Sequence, residues 1–220
     1  MSILRKAMPL VGVLCLVGAQ VATASSTVTV IPGAAMEGSF GMRLTLDGAG
    51  GNAFVQDNSP TAESIYFASF NIRDNGCLPP NGQGFAVIRT WQNEGTPPTT
   101  PVFRISFFNN AASSATQRVL YALAWQDNGL TVPVGSETFA SPPGNTPRFT
   151  YEWKAATAPG ANNGYLKTYK NAVLRKTIAN IDNDTQSIGV IRMGGMGNTG
   201  ATAACSLDFD AFVSTRTPQF

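Results

Sequence analysis

Short strand-like runs dominate the sequence from residue 25 onward, and they constrain its fold more than any other feature. Each run is rich in aromatic and β-branched residues, and clusters of Gly, Pro, Asn and Asp, which favour turns, separate one run from the next. No stretch sustains the 3.6-residue apolar period of an amphipathic helix. We therefore predict a single all-β domain, a two-sheet antiparallel β-sandwich. The predicted strands cover residues 40–46, 53–56, 64–73, 83–92, 101–108, 117–126, 147–155, 165–170, 173–179, 187–193 and 205–214.

Alternation of apolar and polar residues predicts which side of a strand faces the core. The residues expected to point inward are Phe103, Ile105, Phe107, Phe149, Tyr151, Trp153, Cys205, Leu207 and Phe209. The polar residues between them are expected on the opposite side: Arg104, Ser106, Arg148, Thr150, Glu152, Lys154, Asp208 and Asp210. The parity of the run 83–92 is ambiguous, so alternation leaves Trp91 unassigned.

Residues 1–24 have the organisation of a cleavable secretory signal peptide. Arg5 and Lys6 form its charged beginning, an apolar run follows, and Ala22-Thr23-Ala24 supplies the small residues of a cleavage site. The apolar run is shorter than the roughly 20 residues that cross a bilayer, so a membrane anchor is the weaker alternative. We expect residues 25–220 to be secreted, to the periplasm or outside the cell, with no membrane attachment after cleavage.

The charge and composition of the chain exclude several classes of function. The sequence has 15 Lys and Arg against 13 Asp and Glu, and loss of Arg5 and Lys6 with the signal would leave equal numbers of each. A neutral chain offers no basic field to attract a nucleic acid, so we expect no such partner. The sequence contains no histidine, which excludes Ser-His-Asp catalysis and imidazole metal sites. Any catalysis would have to use carboxylates, tyrosine, lysine or a calcium-type oxygen site.

Cys77 and Cys205 are the two cysteines that remain after the signal peptide. An even pair in an exported chain predicts a disulfide, because the compartments outside the cytoplasm are oxidising. The alternative is a pair of unrelated buried thiols.

Several segments resemble the concanavalin A-like, laminin-G-type jelly roll of the lectin and glucanase superfamily, in particular its secreted bacterial members. The segments that carry this resemblance are 36–44, 55–60, 64–73, 188–194 and 207–213. Residues 166–174 resemble the hairpin in which relatives write Asp-Gly, although the turn here reads Lys170-Asn171. The resemblance implies two curved antiparallel sheets, of which the concave one is often used for carbohydrate.

The resemblance describes a fold and not an activity, because one fold hosts many functions. Glucanases of the superfamily carry Glu-x-Asp-x-Glu on one strand, and this sequence has no such triplet, so we assign no catalytic residue. The nearest patterns are Asp182/Asp184, most simply a solvated turn, and Asp208/Asp210 on one strand face. We expect a secreted, non-catalytic binding domain for a polysaccharide or cell-surface glycan. The alternatives are a divergent glycan-active hydrolase or lyase, and a structural or adhesive surface protein.

Calcium is the one metal that the resemblance suggests, and we expect no other cofactor. Related jelly rolls often tie the first strand to the last with a structural calcium, and Glu37 and Asp210 lie near the corresponding chain ends with suitable oxygen ligands. The alternative is that both are ordinary exposed acids. Sugar rings stack on aromatic side chains, but core packing is the better explanation for each candidate, so the sequence assigns no glycan-binding residues. It assigns no oligomeric state either. The aromatic candidates are Trp91, Tyr121, Trp125 and Tyr165.

Overall fold

The computed structural model describes residues 25–92, 101–110, 118–138 and 146–217, so the signal peptide predicted at residues 1–24 lies outside the described residues. Within these ranges the chain forms thirteen strands and two short 3-10 turns, Pro32–Ala34 and Thr199–Ala201. The strands are β1 (Thr27–Ile31), β2 (Gly41–Leu46), β3 (Ala53–Asp57), β4 (Ile65–Arg73), β5 (Gly84–Trp91), β6 (Pro101–Asn109), β7 (Arg118–Trp125), β8 (Thr131–Thr138), β9 (Arg148–Lys154), β10 (Gly164–Lys170), β11 (Val173–Ile181), β12 (Val190–Met196) and β13 (Cys205–Thr215).

The strands assemble into two sheets, one of seven strands and one of six. The seven-stranded sheet has the order β1-β2-β13-β4-β9-β10-β11, and the six-stranded sheet has the order β3-β12-β5-β6-β7-β8. Neighbouring strands pair antiparallel throughout both sheets. The predicted antiparallel β-sandwich is therefore confirmed, and its sequence-distant neighbours, such as β2 with β13, give it the crossed connections of a jelly roll.

The core lies between the two sheets and consists of the inward residues of both. Phe70 on β4 is fully buried, and its ring centroid lies 5.9 Å from that of Tyr151 on β9 and 6.1 Å from that of Phe209 on β13. The residues predicted to point inward all belong to this core or pack against it. The polar residues between them consequently lie on the outer side of each sheet, although several of them, such as Asp208 and Thr150, are covered by neighbouring side chains.

The parity of β5, which alternation left open, is decided by a register irregularity. Phe85 and Val87 belong to the core, but the pairing with β6 shifts between Ala86 and Ile88. This irregularity brings Arg89 opposite Arg104, which is an outward residue of β6. Trp91 follows two residues later and therefore also lies on the outer side of the six-stranded sheet, in a small cluster separate from the core.

Two strands and one turn differ from the sequence-based expectations. β1 and β8 were not predicted, and both lie at sheet edges. β8 contains Pro133, which the middle of a sheet excludes but an edge strand tolerates. The turn between β10 and β11 is Asn171-Ala172 and not Lys170-Asn171, since Asn171 and Ala172 have φ of 51° and 63°, as a two-residue type I′ turn requires.

The predicted disulfide between Cys77 and Cys205 is confirmed. The two Cα atoms are 5.1 Å apart, and the bond joins residues 128 positions apart in sequence. Cys77 follows β4 and Cys205 begins β13, so the bond reinforces two strands that also pair with each other. In the part of the chain that the structure describes, no helix is long and apolar enough to cross a membrane.

Candidate functional site

A belt of polar side chains crosses the outer side of the seven-stranded sheet, and we call it the polar face. It spans five adjacent strands, β2, β13, β4, β9 and β10, and each strand contributes one or more residues from its outward side. The belt consists of Arg43, Asp208, Arg73, Asn71, Ser69, Arg148, Glu152, Tyr165, Lys167 and Tyr169, with Glu37 reaching in from the loop before β2. Because strand register aligns these residues, the belt is a property of the sheet and not of one loop.

Glu152 is the centre of the belt on β9 and β10. Its Oε1 atom accepts hydrogen bonds from the Tyr165 hydroxyl at 2.5 Å and from the Lys167 ammonium at 3.2 Å. Its Oε2 atom accepts a hydrogen bond from the Tyr169 hydroxyl at 2.5 Å. Tyr165, Lys167 and Tyr169 alternate along β10, which places all three on the side of the sheet that Glu152 occupies.

This arrangement determines the charge of each group. Burial acts to raise the pKa of Glu152, but the hydrogen bonds from both phenols and from Lys167 outweigh burial and leave its pKa below the usual value. Burial and the hydrogen bond to Glu152 both raise the pKa of Tyr165 and of Tyr169 well above the usual value. At neutral pH the cluster therefore holds one carboxylate and two protonated phenols, beside a lysine whose ammonium lies 4.2 Å from the Tyr165 ring centroid.

Arg148 occupies the middle of the polar face, at the start of β9. Its guanidinium donates to the Ser69 hydroxyl at 2.7 Å and lies 3.8 Å from Glu37 Oε1. Asn71 donates to the same Glu37 oxygen at 2.7 Å. The Arg148 backbone pairs with Asn171 through two hydrogen bonds. The Arg148 N–H donates to the Asn171 side-chain oxygen at 3.0 Å, and the Asn171 N–H donates to the Arg148 carbonyl at 2.8 Å. The turn between β10 and β11 thus anchors the residue that carries this guanidinium.

Asp208 forms the third part of the belt, between two arginines. Arg43 donates to both of its oxygens, at 2.7 and 2.9 Å, and Arg73 donates to Oδ2 at 2.7 Å. Burial acts to raise the pKa of Asp208, but the hydrogen bonds from Arg43, Asn75 and Arg73 together hold it below the usual value. The two arginines also donate to the carbonyl of Gly33, which joins the segment before β2 to the belt.

Charge is layered across the polar face. Two carboxylates form its floor, with side chains 10% (Glu152) and 0% (Asp208) exposed. The cations paired with them reach solvent, with side chains 28% (Lys167), 31% (Arg43) and 24% (Arg73) exposed. Arg148 is 37% exposed and shares the surface with Glu37, whose side chain is 59% exposed. A ligand approaching the belt therefore meets exposed guanidinium and ammonium groups, the Tyr165 phenol and the Glu37 carboxylate. The cations away from Glu37 suit carboxylates, and the remaining groups suit hydroxyls.

The residues predicted as calcium ligands come together at the chain ends, but with other partners. Asp210 Oδ2 accepts from the backbone N–H groups of Met36 and Glu37, at 2.6 Å each, and Oδ1 accepts from that of Ala211. Burial acts to raise the pKa of Asp210, and these hydrogen bonds lower it below the usual value. Three N–H donors already stabilise this carboxylate, which makes the pair a poor fit for an ion. Calcium binding stays a prediction, tested by a thermal melt with and without calcium.

Two further features lie away from the belt. Asp182 and Asp184, expected in a solvated turn, lie with Asp127 so that their nearest oxygens are within 4.8 Å of one another.

A cavity of about 430 Å³ opens between β2 and β13 on one sheet and β3 and β12 on the other, with Val30, Phe40 and Phe212 in its lining. This lining is mainly apolar and matches hydrocarbon better than a hydroxyl-rich sugar, so we assign the site to the polar face.

Sequence reasoning recognised only part of this belt. It placed Arg148, Glu152 and Asp208 on the outer side of their strands and named Tyr165 among the aromatic candidates. It missed Lys167 and Tyr169, although a Tyr-x-Lys-x-Tyr run is itself a signal that three polar tips share one face. The partners from β4 and from the loop before β2 carry no local signal, because only strand order brings them here.

Comparison with known proteins supports the fold. No protein-family model and no curated protein matches the chain. Solved structures that resemble it over most of their length include the following three. The endo-β-1,4-glucuronan lyase of the fungus Trichoderma reesei superimposes with a TM-score of 0.64 at 15% identity, with 89% of each chain covered. The cellulose-induced protein Cip1 does so with 0.61 at 19% identity, covering 88% of this chain and 87% of its own.

The alginate lyase vAL-1 of a Chlorella virus superimposes with a TM-score of 0.54 at 12% identity, covering 87% of this chain and 89% of its own. At such identities the similarity concerns the fold alone. It confirms that the chain has the concanavalin A-like jelly roll that its sequence resembles.

Proposed function

We propose that this protein binds an acidic polysaccharide across the polar face of its seven-stranded sheet. The observation that carries the proposal is the layering of charge at Glu152 and Asp208, where the side chains of Lys167, Arg43 and Arg73 are 28%, 31% and 24% exposed beside buried carboxylates. Two of the structural neighbours are described as lyases of glucuronan and of alginate, which are polymers of uronic acids. A uronic acid offers one carboxylate and several hydroxyls per sugar unit, the groups that this belt is equipped to bind.

The dimensions of the belt suit a chain-like ligand. Neighbouring strands lie about 4.8 Å apart, so five strands give a belt of about 19 Å, enough for several sugar units. Guanidinium and ammonium groups bind carboxylates by charge-assisted hydrogen bonds, which are about twice as strong as neutral ones. Arg148 and Lys167 would bind sugar carboxylates, while Asn71 and Tyr165 would contact hydroxyls.

A second candidate function is β-elimination of such a polymer, and the cluster around Glu152 favours it. In this reaction a base removes the proton at C5, a cation neutralises the adjacent carboxylate, and the C4–O bond breaks as a C4=C5 double bond forms. The leaving oxygen takes a proton from an acid. Lys167 or Arg148 would neutralise the carboxylate, and the Tyr165 phenol, which stays protonated because its pKa is raised, would supply the proton.

Removal of the C5 proton by a base is the step of the elimination that the cluster supports least. Glu152 is ionised, but among the described residues its oxygens already accept hydrogen bonds from Tyr165, Lys167 and Tyr169, and its side chain is only 10% exposed, so these donors would compete with the C5 proton for the carboxylate. For this reason the geometry supports binding better than catalysis.

Calorimetric titration of the purified protein with short oligouronates tests the proposal. We expect binding of oligomannuronate or oligoglucuronate and at least about tenfold weaker binding of a neutral cello-oligosaccharide. Lys167→Gln removes one charge-assisted hydrogen bond, worth about 1.5–3 kcal/mol, and should weaken oligouronate binding by about ten- to a hundredfold.

Lys176→Gln is the matched control for Lys167→Gln. Lys176 is exposed on β11 and pairs with Thr168, so it leaves the sheet on the opposite side while the charge change is the same. Equal affinity for neutral and acidic oligosaccharides, or a Lys167→Gln variant that binds like its parent, would contradict the proposal. A rise in ultraviolet absorbance from the new double bond, abolished by Tyr165→Phe, would establish elimination instead.

A further inference from the structure

Three arginines form a row across the outer side of the six-stranded sheet, on the far side of the molecule from the polar face. Arg192 on β12 lies directly opposite Arg89 on β5, and Arg89 lies directly opposite Arg104 on β6. We call this set the arginine row. Its members occupy three adjacent strands at the same level, so their positions follow from sheet register and not from loop conformation.

The arginine row lacks the acidic partners that arginines elsewhere in the structure have. Each arginine of the polar face lies within 4 Å of a carboxylate, but among the described residues none of the three row members does. The Nε atom of Arg104 is buried and has no hydrogen-bond partner in the described part of the chain. Like charges directly opposite each other on a sheet are destabilising, and a buried donor without a partner adds to that cost.

The electrostatic environment of the row agrees with this picture. Burial lowers the pKa of Arg89, and the charges of Arg104 and Arg192 lower it further. Burial also lowers the pKa of Arg104 and of Arg192. A bound oxyanion would counteract this lowering of the pKa values, because it would supply the opposite charge and an acceptor for the unpaired Nε atom of Arg104.

Aromatic rings hold the row in place and extend its surface. The Arg192 guanidinium lies 4.4 Å from the Phe54 ring centroid and 4.9 Å from that of Trp91, and its Nε atom donates to Gln56 at 2.6 Å. The Arg104 guanidinium lies 5.9 Å from the Trp125 ring centroid. Such cation–π contacts fix a guanidinium plane while its outer N–H groups remain able to bind a ligand.

Two hollows adjoin the row, and Arg89 and Arg104 line both of them. One, of about 170 Å³, is also lined by Ser106 and Tyr121. The other, of about 200 Å³, has Trp125 in its lining. Among the described residues the row therefore combines guanidinium groups that have no carboxylate partner with a concave surface and with aromatic side chains on which sugar rings can stack.

We infer that the arginine row is a second carbohydrate site, which binds carboxylate or sulfate groups carried by an acidic polysaccharide. The guanidinium groups of Arg89 and Arg104 would bind the oxyanion between the two hollows, and Trp125 and Tyr121 would stack against the adjacent sugar rings. The ligand class is taken from the proposed function, but the site is separate from the polar face. Binding at both faces would let one molecule hold two polysaccharide chains, or two parts of one chain.

Tryptophan fluorescence reports on this site selectively. The sequence contains three tryptophans, of which Trp91 and Trp125 contact row arginines while Trp153 is fully buried in the core. Titration with oligomannuronate should change the fluorescence in a saturable way, and inorganic sulfate should compete. A neutral cello-oligosaccharide should have no effect at the same concentrations. Sulfate distinguishes the oxyanion group from the sugar as the source of affinity.

Two substitutions in the row provide the main test. Arg89→Gln and Arg104→Gln should each weaken the fluorescence-detected affinity for oligomannuronate by about tenfold or more. Lys167→Gln, which alters the polar face, should leave this titration unchanged while it weakens the calorimetric affinity there. The two readouts therefore separate failure of this inference from failure of the proposed function.

Thermal melts distinguish a ligand site from a structural feature. Arg89→Gln removes a like-charge contact, so the variant should melt at the same temperature as the parent or higher, and sulfate should stabilise the parent more than the variant. The inference is wrong if Arg89→Gln and Arg104→Gln bind oligomannuronate like the parent. It is also wrong if sulfate binds but no oligouronate does, or if a single-stranded oligonucleotide binds more tightly than the oligouronate.

Discussion

Asp208 retains its charge although its side chain has no exposed surface, because two arginines donate hydrogen bonds to its carboxylate. Arg43 binds it with two nitrogens, Arg73 approaches from the opposite strand, and both arginines keep part of their surface in water. This arrangement avoids the worst cost of a buried ion pair, which is the loss of solvent by both partners. It also leaves two guanidiniums that depend on one carboxylate.

Replacement of this carboxylate should therefore destabilise the protein. Asp208→Asn leaves Arg43 and Arg73 facing each other without a counterion, and we expect the free energy of unfolding to fall by about 2–3 kcal/mol. This value is at or below the lower end of the range for breaking a buried pair, because the guanidiniums can still reach water. Urea denaturation at neutral pH measures the change.

The same carboxylate gives the prediction a pH dependence. Because the folded-state pKa of Asp208 is lowered, its contribution to stability is present above the unfolded-state pKa of about 3.9 and is lost as the pH falls below that value. The difference in unfolding free energy between parent and Asp208→Asn should shrink between pH 4 and pH 2. A difference that stays constant over this range would contradict the assigned role of the carboxylate.

At the scale of the element, the β10–β11 hairpin links turn geometry to the polar face. β10 carries Tyr165, Lys167 and Tyr169, and the turn that ends it pairs with the backbone of Arg148. An Asp-Gly turn would place glycine at the second turn position, whereas this chain has Ala172 with φ of 63°. The hairpin thus adopts a left-handed conformation that alanine disfavours.

Ala172→Gly should stabilise the protein for this reason. Left-handed backbone costs a non-glycine residue about 1–2 kcal/mol, and the greater freedom of glycine in the unfolded chain offsets about 0.4–1 kcal/mol of the relief. We expect a net gain of about 0.5–1 kcal/mol in unfolding free energy by urea denaturation. Ala179→Gly, at an exposed position within β11, is the control and should destabilise. Destabilisation by Ala172→Gly as well would refute this account of the turn.

At the scale of the whole molecule, one covalent bond and two functional faces organise the sandwich. The disulfide closes a loop of 128 residues and joins the end of β4 to the start of β13, close to Arg73 and Asp208. The polar face lies on the outer side of the seven-stranded sheet and the arginine row on that of the six-stranded sheet. Packing of the core between the two sheets therefore fixes the positions of both. Stability of the sandwich and integrity of the sites are therefore linked.

Removal of the disulfide should test that link. In the chain-entropy model a loop of this length contributes about 4–5 kcal/mol, and measured losses of native disulfides are about 2–5 kcal/mol. We expect the double variant Cys77→Ala, Cys205→Ala to lose stability within that range in urea denaturation, with unchanged spectra in the folded state. The loss of unfolding free energy caused by Asp208→Asn should differ between the double-variant background and the parent, because neighbouring sites couple. A double variant as stable as its parent would contradict a structural role for the bond.

The sequence by itself determined the features that depend on local chemistry. Strand alternation has a period of two, so it predicts from a few residues that Phe149 points inward and Glu152 points outward, and the structure confirms this. Turn-forming clusters predicted where most strands end, for the same local reason. Of the three cysteines, Cys15 lies in the predicted signal peptide, so Cys77 and Cys205 were the pair predicted to form the disulfide.

Tertiary structure alone decided which polar residues meet. Asn71, Arg148 and Glu37 are far apart in sequence, and they assemble because β4 pairs with β9 and because the segment before β2 lies beside them. Strand order is set by the burial of whole sheet faces, a non-local balance that no short segment encodes. The arginine row shows the same limit: a register irregularity within β5 turns Arg89 outward and opposite Arg104, and only the paired strand reveals it.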